Sequence, residues 1–255
     1  MKQTVIVLFV LVFAADGFPQ ERGRPQYPLG QASGCPGGGS WRNLEPDSDL
    51  LAWPIVHDIG KPNLRSGFQR ITQARLCEKA GDWSTAANYY AEAQGMLAPA
   101  IPMDKQLDLL AGAARLRINA ASVFYKAGNS VRTMDALRQA HSGMQLLTQY
   151  DPSNAEWCFK LFAITVLFEE KNFRTLRQGE RMLRQCINTT KGPEKYRTQA
   201  RKLLPQLEAH MREAWQQNSI NPEDAKPAPG FPHDPPLPEP FKRLVFQAVF
   251  DTSER

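Results

Sequence analysis

Long hydrophobic runs are scarce in this sequence. The longest, from Val5 to Ala15, is well short of the roughly 20 apolar residues that a membrane-spanning helix needs. Lys2 precedes the run and a small-x-small triplet at residues 15–17 follows it, which is typical of a secretory signal peptide. We therefore expect cleavage of residues 1–17 and an extracytoplasmic product, in a periplasm, a secretory lumen or the medium, without a transmembrane segment.

Motifs for catalysis and for metal binding are missing as well. The chain has no Gly-rich phosphate loop, no GxSxG and no HExxH. Its four histidines are scattered and lack a second His or Cys ligand three or four residues away, which argues against a metal site. The sequence thus predicts a protein that is not an enzyme and needs no cofactor, and only a catalytic site assembled from distant residues stays open.

Cysteines are few, and none form the CxxC spacing of redox catalysis. Cys158 and Cys186 lie equally far from the centre of a predicted helical hairpin, so we expect a disulfide between them. Cys35 and Cys77 would then tether the N-terminal arm to the first helix. Disulfides persist in exported proteins, and buried free thiols are the alternative.

The middle of the chain has helical periodicity, whereas its start does not. Residues 18–66 are rich in Gly and Pro and predict an irregular arm, of which Trp53 and Ile55 should pack on the first helix. A helical domain is expected over 67–218. Its helices are predicted at 68–79, from the turn at Gly81 to Pro99, and at 104–126, 130–148, 155–170, 173–187 and 193–217. Pro205 should kink or divide the last one.

The helical domain contains an internal repeat. "KAGD" at 79–82 matches "KAGN" at 126–129, and "EKN" at 170–172 occupies the same junction later. In the first two junctions Gly81 and Gly128 are expected to end one helix, and Asp82 or Ser84, and then Ser130, to cap the next. Each unit is a helical hairpin that cannot bury its apolar face alone, so neighbouring units are expected to stack.

One of these hairpins has the residue pattern of a known repeat family. A glycine turn is followed by a small residue, an aromatic residue four later and a small residue three after that. The residues that carry this pattern are Gly81, Asp82, Trp83, Ala86, Tyr90 and Ala93. The segment resembles the second half of a tetratricopeptide repeat, while Arg70, Gln73 and Cys77 depart from the first half. The resemblance implies an all-α, right-handed superhelix of antiparallel hairpins whose concave surface binds a protein or peptide segment.

Basic residues are concentrated in the second half of the chain. From Lys171 to Arg212 there are eleven basic residues against three acidic ones. Four of the basic residues recur along one side of a predicted helix, and we call them the arginine row: Arg174, Arg177, Arg181 and Arg184. The row predicts contact with an anionic polymer or surface, although an ordinary solvated face is the alternative. Interleaved exposed aromatic residues are missing, which argues against nucleic acid.

The C-terminal part consists of two segments. Residues 219–240 hold eight prolines and predict an extended linker. Residues 241–255 begin with an amphipathic pattern formed by Phe241, Leu244, Val245, Ala248 and Val249. Such a helix can dock in the concave groove of its own chain, bind another protein or cap the last repeat.

The sequence therefore predicts an extracytoplasmic scaffold or adaptor that binds a protein or peptide segment. The alternative is a structural envelope or matrix-associated protein that binds an anionic polymer through the arginine row.

Overall fold

The protein is all-α within the residues that the structure describes. This structure is a computed structural model, and it describes residues 44–168, 173–217 and 239–250. Its helices are α1 (Ser48–Leu51), α2 (Lys61–Lys79), α3 (Trp83–Leu97), α4 (Met103–Lys126), α5 (Ser130–Tyr150), α6 (Ala155–Phe168), α7 (Phe173–Ile187), α8 (Glu194–Gln217) and α9 (Glu239–Phe250). The predicted signal peptide, most of the N-terminal arm and nearly all of the Pro-rich linker lie outside the described residues.

The helices pack in the order in which they follow one another. Each helix from α2 to α7 contacts the next one along the chain, and α6 also contacts α8. The last helix, α9, instead returns to α6 and also contacts α4 and α8. The chain is therefore a series of stacked helical hairpins, and its C-terminal helix lies across several of them.

The two best repeat junctions have the same local geometry. Gly81 has φ 77° and Gly128 has φ 72°, a left-handed conformation that glycine adopts without a steric penalty. The side chain of Asp82 accepts a hydrogen bond from the N–H three residues on, at 3.1 Å, and Asn129 does the same. The predicted caps at Gly81–Asp82 are confirmed, but Ser130 is not the cap of α5, because Asn129 takes that role.

One predicted helix boundary is wrong, and a predicted division of another helix does not occur. Helix α2 begins at Lys61, earlier than predicted, because Pro62 suits the first turn of a helix and does not prevent one. Helix α8 is not divided at Pro205 but continues to Gln217. A proline costs about 3 kcal/mol in a helix interior, and the burial of Leu203 and Leu207 on either side of it offsets this cost.

The segment before α2 is held by apolar side chains. The Trp53 ring lies edge-on to Phe68 of α2, with centroids 6.2 Å apart, which confirms the predicted contact. Ile55 is 41% exposed, and its packing on the first helix stays a prediction. Leu50 of α1 is fully buried instead, because the short helical turn directs its side chain toward α2.

Gly67 lets α2 and α3 pack closely. A Cβ there would lie 2.5 Å from Cγ of Leu97, which is fully buried. We expect Gly67→Ala to lower the free energy of unfolding by about 1–3 kcal/mol, because the core must shift to admit the methyl group. Gly95→Ala in α3 is the matched control, since its methyl meets nothing within 4 Å and should stabilise the helix by up to about 1 kcal/mol. Urea denaturation measures both, and equal effects would contradict the prediction.

Candidate binding face

Helix α6 is enclosed by its neighbours. None of its residues from 155 to 167 is exposed, and its sequence, AEWCFKLFAITVLF, is apolar on nearly every side. Thr165 lies against α5, where it contacts a histidine. Phe162 lies against Gly179 of α7, and Phe159 lies against a tyrosine of α8. The contacting residues, at positions 159, 162 and 165, share one arc of about 120° on the helix.

Another side of α6 bears Glu156, Lys160, Ala163 and Leu167. Their spacings of four, three and four residues place them on one stripe. Glu156 accepts hydrogen bonds from Arg115 of α4, so this stripe faces α4. We call the stripe, together with the sides of α4 and α8 that α9 contacts, the covered face.

Helix α9 presents an apolar side to the fold. Phe241 is 5% exposed and Val245 is fully buried, and Ala248 packs against the same core cluster. Leu244, between them, is 40% exposed, while the side chain of Val249 lies outside the described part of the chain. The predicted amphipathic helix is confirmed. It packs across α4, α6 and α8 rather than on the last repeat alone.

A carboxylate on the covered face is shared by two cations. Arg115 donates from Nε to Oε1 of Glu156 at 2.8 Å and from Nη2 to Oε2 at 2.9 Å. Lys160 donates from Nζ to Oε1 at 2.8 Å. The Lys160 side chain is 7% exposed and that of Glu156 is 11% exposed, whereas that of Arg115 is 48% exposed. The buried Glu156–Lys160 pair is therefore neutral, and the half-exposed Arg115 carries the excess positive charge of the trio.

Burial and pairing act in opposite directions on these groups. Burial raises the pKa of Glu156, but the hydrogen bonds and charges of Arg115 and Lys160 outweigh it and lower the pKa to about 2. Burial lowers the pKa of Lys160, and the attraction of Glu156 offsets this only in part. Glu156 is thus ionised at neutral pH, and Lys160 is the member of the trio whose charged form burial disfavours most.

Helix α8 adds an aromatic ring beside the trio. The Lys160 Nζ lies 5.9 Å from the centroid of the Tyr196 ring, and the Lys195 Nζ lies 5.1 Å from the same ring. An aromatic face attracts cations through its quadrupole. The covered face therefore combines the apolar surface of α6 with cationic and aromatic side chains, those of Arg115 on α4 and Tyr196 on α8 among them.

The arginine row does not present four equivalent charges. Arg184 donates to Glu180 at 2.9 Å and to Glu208 of α8 at 2.5 Å, so two carboxylates compensate it. Arg181 is exposed and Arg177 is half-buried. The side chain of Arg174 lies outside the described residues, and anion binding by the row stays a prediction.

The predicted disulfide between Cys158 and Cys186 is not formed. Both are free and buried. Their thiols donate to backbone carbonyls, that of Cys158 to Pro152 at 3.5 Å and that of Cys186 to Ala155 at 3.4 Å. Equal spacing about the hairpin placed the two residues near each other, but it did not set the direction of either side chain.

Burial also governs the chemistry of these thiols. It raises the pKa of Cys158 to about 11 and that of Cys186 to about 12, so neither is a reactive thiolate at neutral pH. Cys77 is fully buried and Cys35 lies outside the described residues. Their pairing stays a prediction.

The trio of Arg115, Glu156 and Lys160 was not predicted from the sequence. The available signal was the pair Glu156 and Lys160, four residues apart in an otherwise apolar helix, because Lys and Glu are rarely buried unless they are paired. Arg115 comes from a distant part of the chain, so sequence spacing does not reveal it.

Comparison with known proteins adds no relationship. No protein-family model, curated protein or solved structure matches the chain. Within the residues that the structure describes, no three His, Cys, Asp or Glu side chains come together as metal ligands. Across the same residues, none of the helices has both the length and the apolarity to span a membrane.

Proposed function

We propose that this protein is an extracytoplasmic, tetratricopeptide-like adaptor that binds a helical segment of another protein on the covered face. The observation that carries the proposal is the position of α9. An amphipathic helix from the far end of the chain occupies the side that α4, α6 and α8 share. Helix α9 therefore acts as an internal ligand of this face.

The repeat assignment is supported by the packing of the first hairpin. Ala86, Ala87 and Ala93 of α3 are fully buried, so the neighbouring helices approach closely there. Tyr90 packs among the apolar residues between α2 and α4. Small residues at the contact and one aromatic residue in the gap are the physical content of the tetratricopeptide pattern. Its extracytoplasmic location rests on the signal peptide that residues 1–17 predict.

The covered face has the physical properties of a helix-binding groove. Amphipathic helices bind such grooves through apolar anchors three, four or seven residues apart. Phe241, Val245 and Ala248 have this spacing, and full burial of one large apolar side chain contributes about 1.5–3 kcal/mol. Two such anchors hold α9 in place without making its attachment irreversible.

The connection of α9 makes it a competitor rather than a fixed part of each hairpin. It follows residues 218–238, so its local concentration near the face is on the order of millimolar, as for other tethered ligands. A partner binds only if its affinity and concentration are high enough to displace α9 from the covered face. The tether therefore sets a threshold for partner affinity.

The test uses the mature full chain, residues 18–255, with Phe241→Ser and Val245→Ser together. The ligand is a fluorescent peptide of residues 239–250. We expect the doubly substituted chain to bind this peptide at least about tenfold more tightly than the wild type, because loss of two apolar anchors frees the face. Fluorescence anisotropy measures the affinity.

Leu244→Ser is the matched control, since Leu244 lies beside Val245 but is exposed. It should bind the peptide as the wild type does. Circular dichroism verifies that the doubly substituted chain remains folded. If the chain with Phe241→Ser and Val245→Ser is folded but does not bind the peptide, the proposal is overturned.

The alternative function, attachment to an anionic polymer, is tested in the same chains. Retention on a sulfated polysaccharide column that weakens steeply with salt, and to the same degree with and without the α9 substitutions, would support it. The pairing of Arg184 with Glu180 and Glu208 is the reason that we place it second.

A further inference from the structure

We infer that Asn188 carries an N-linked glycan, transferred from a polyprenyl diphosphate-linked oligosaccharide when the chain enters a secretory pathway that contains an oligosaccharyltransferase. The inference rests on the extracytoplasmic location in the proposed function, and it adds a covalent modification to that function. It follows from the sequence of residues 188–190, from the exposure of Asn188 and from the different environments of the two threonines that come after it.

Residues 188–190 form an N-glycosylation sequon, which is an asparagine followed two residues later by serine or threonine with no proline between them. The sequence here is Asn-Thr-Thr, and no other asparagine in the chain has this pattern. In a secreted protein such a sequon is an acceptor for glycans and lies in a surface loop. Three residues also form a sequon by chance, so the inference depends on the local structure.

Asn188 lies at the surface, directly after Ile187, the last residue of α7. The hydrogen bonds that the structure describes for Asn188 use its backbone N–H, which donates to the carbonyl of Arg184 at 3.2 Å and to that of Gln185 at 3.1 Å. The side-chain amide is therefore available to solvent. A glycan is large and hydrophilic and needs a surface position of this kind, where its attachment displaces no buried side chain.

The two threonines of the sequon have different environments. Thr189 is 9% exposed, and its hydroxyl donates to the carbonyl of Cys186 at 2.6 Å. Thr190 is exposed. A sequon needs a hydroxyl at its third position, whereas its middle position accepts residues other than proline. The threonine that stabilises the turn is thus not the one whose hydroxyl the transferase requires.

The segment that follows the sequon is held by the start of α6. The backbone N–H of Lys191 donates to the carbonyl of Ser153 at 3.0 Å, and the carbonyl of Lys191 accepts from the N–H of Ala155 at 3.0 Å. The Lys191 Nζ also lies 3.1 Å from Oδ2 of Asp151. None of these bonds uses the side chain of Asn188, so we expect the glycosylated chain to adopt the same fold.

The modification is a glycosyl transfer without a change of oxidation state. The Nδ2 atom of Asn188 attacks the anomeric carbon of the first sugar. A C–N bond forms as the C–O bond to the diphosphate breaks, and the polyprenyl diphosphate leaves. A base of the transferase takes up the proton that the amide loses. This chain supplies the acceptor nitrogen and, in Thr190, the hydroxyl by which the sequon is recognised.

The test is translation of the full chain, residues 1–255, in the presence of microsomes from the endoplasmic reticulum. We expect an increase in apparent mass on electrophoresis that an endoglycosidase removes. The product should also be protected by the microsomal membrane from added protease, because residues 1–17 direct it into the lumen.

Substitutions within the sequon identify the site. Asn188→Gln and Thr190→Ala should each abolish the mass increase, because the first removes the acceptor and the second removes the hydroxyl. Thr190→Ser should retain it. Thr189→Ala is the matched control, since it changes the neighbouring threonine and leaves the sequon intact, and the increase should persist.

The other outcomes separate this inference from the proposed location. A product that is protected from protease but has no endoglycosidase-sensitive mass overturns the inference, and the extracytoplasmic location stands. A mass increase that survives Asn188→Gln or Thr190→Ala also overturns the inference, because the glycan is then attached elsewhere. A product that is neither protected nor glycosylated overturns both, since residues 1–17 then do not direct export.

Discussion

Replacing Glu156 by alanine is expected to lower the free energy of unfolding by about 3–5 kcal/mol. The substitution leaves Lys160, which is 7% exposed, without its carboxylate in the interior of the fold, and removal of one partner from a buried ion pair has effects of this size. Urea denaturation followed by circular dichroism measures the change. A loss below about 1 kcal/mol would show that Lys160 is able to move its charge into water.

A double substitution separates the effect of the buried charges on stability from the effect of side-chain volume. Glu156→Leu combined with Lys160→Met replaces the buried pair with apolar side chains of similar size, and Arg115 is exposed enough to return to water. Apolar replacement of a whole buried ion pair is often neutral or stabilising. We therefore expect this variant to recover most of the stability that Glu156→Ala loses.

The carboxylate of Glu156 also makes the free energy of unfolding depend on pH. The pKa of Glu156 is lowered to about 2 in the folded protein from its ordinary value of 4.5. Its contribution is therefore fully present above pH 4.5 and is lost as the pH falls toward 2. At 1.36 kcal/mol per pKa unit the contribution is about 3 kcal/mol. Unfolding measured from pH 6 to pH 2 should show this loss in the wild type and a flatter profile in Glu156→Gln.

Replacing Phe159 by alanine is the other change with a large expected effect, a loss of about 3–5 kcal/mol. The ring is fully buried and lies 5.7 Å from the Tyr196 ring of α8 and 6.1 Å from that of Phe162. It joins α6 to α8 beneath the covered face, so its loss leaves a cavity with rigid walls. Thermal and urea unfolding both measure the effect.

Two substitutions control for this prediction. Phe159→Leu should cost about 1–1.5 kcal/mol, because it conserves most of the apolar volume. Leu244→Ala truncates an apolar side chain at an exposed position and should change stability by less than about 0.5 kcal/mol. Similar losses in Phe159→Ala and Leu244→Ala would contradict the packing described here.

The helices themselves were predictable because their signals are local. A glycine that ends one helix and a polar cap that begins the next both act within a few residues, so "KAGD" and "KAGN" mark two hairpin turns correctly. The apolar spacing of residues 241–248 likewise predicts the helix α9. Pro205 shows the limit of this reasoning, since a local cost was outweighed by packing that the sequence does not display.

The candidate site was predictable only in part. The sequence showed that α9 is amphipathic but allowed three places for it, and it showed neither Arg115 near Glu156 nor the direction of the Cys158 thiol. These features join residues far apart in the chain, such as positions 115 and 156, and depend on how the hairpins stack.

Local sequence signals were enough to predict an all-α chain of helical hairpins followed by an amphipathic helix, because periodicity, caps and turns are properties of neighbouring residues. The tertiary structure alone decided that this last helix covers the side shared by α4, α6 and α8, and that Arg115 and Lys160 share the carboxylate of Glu156 there. The physical reason is that burial and charge pairing are set by the distances between elements, which appear only when the chain has folded.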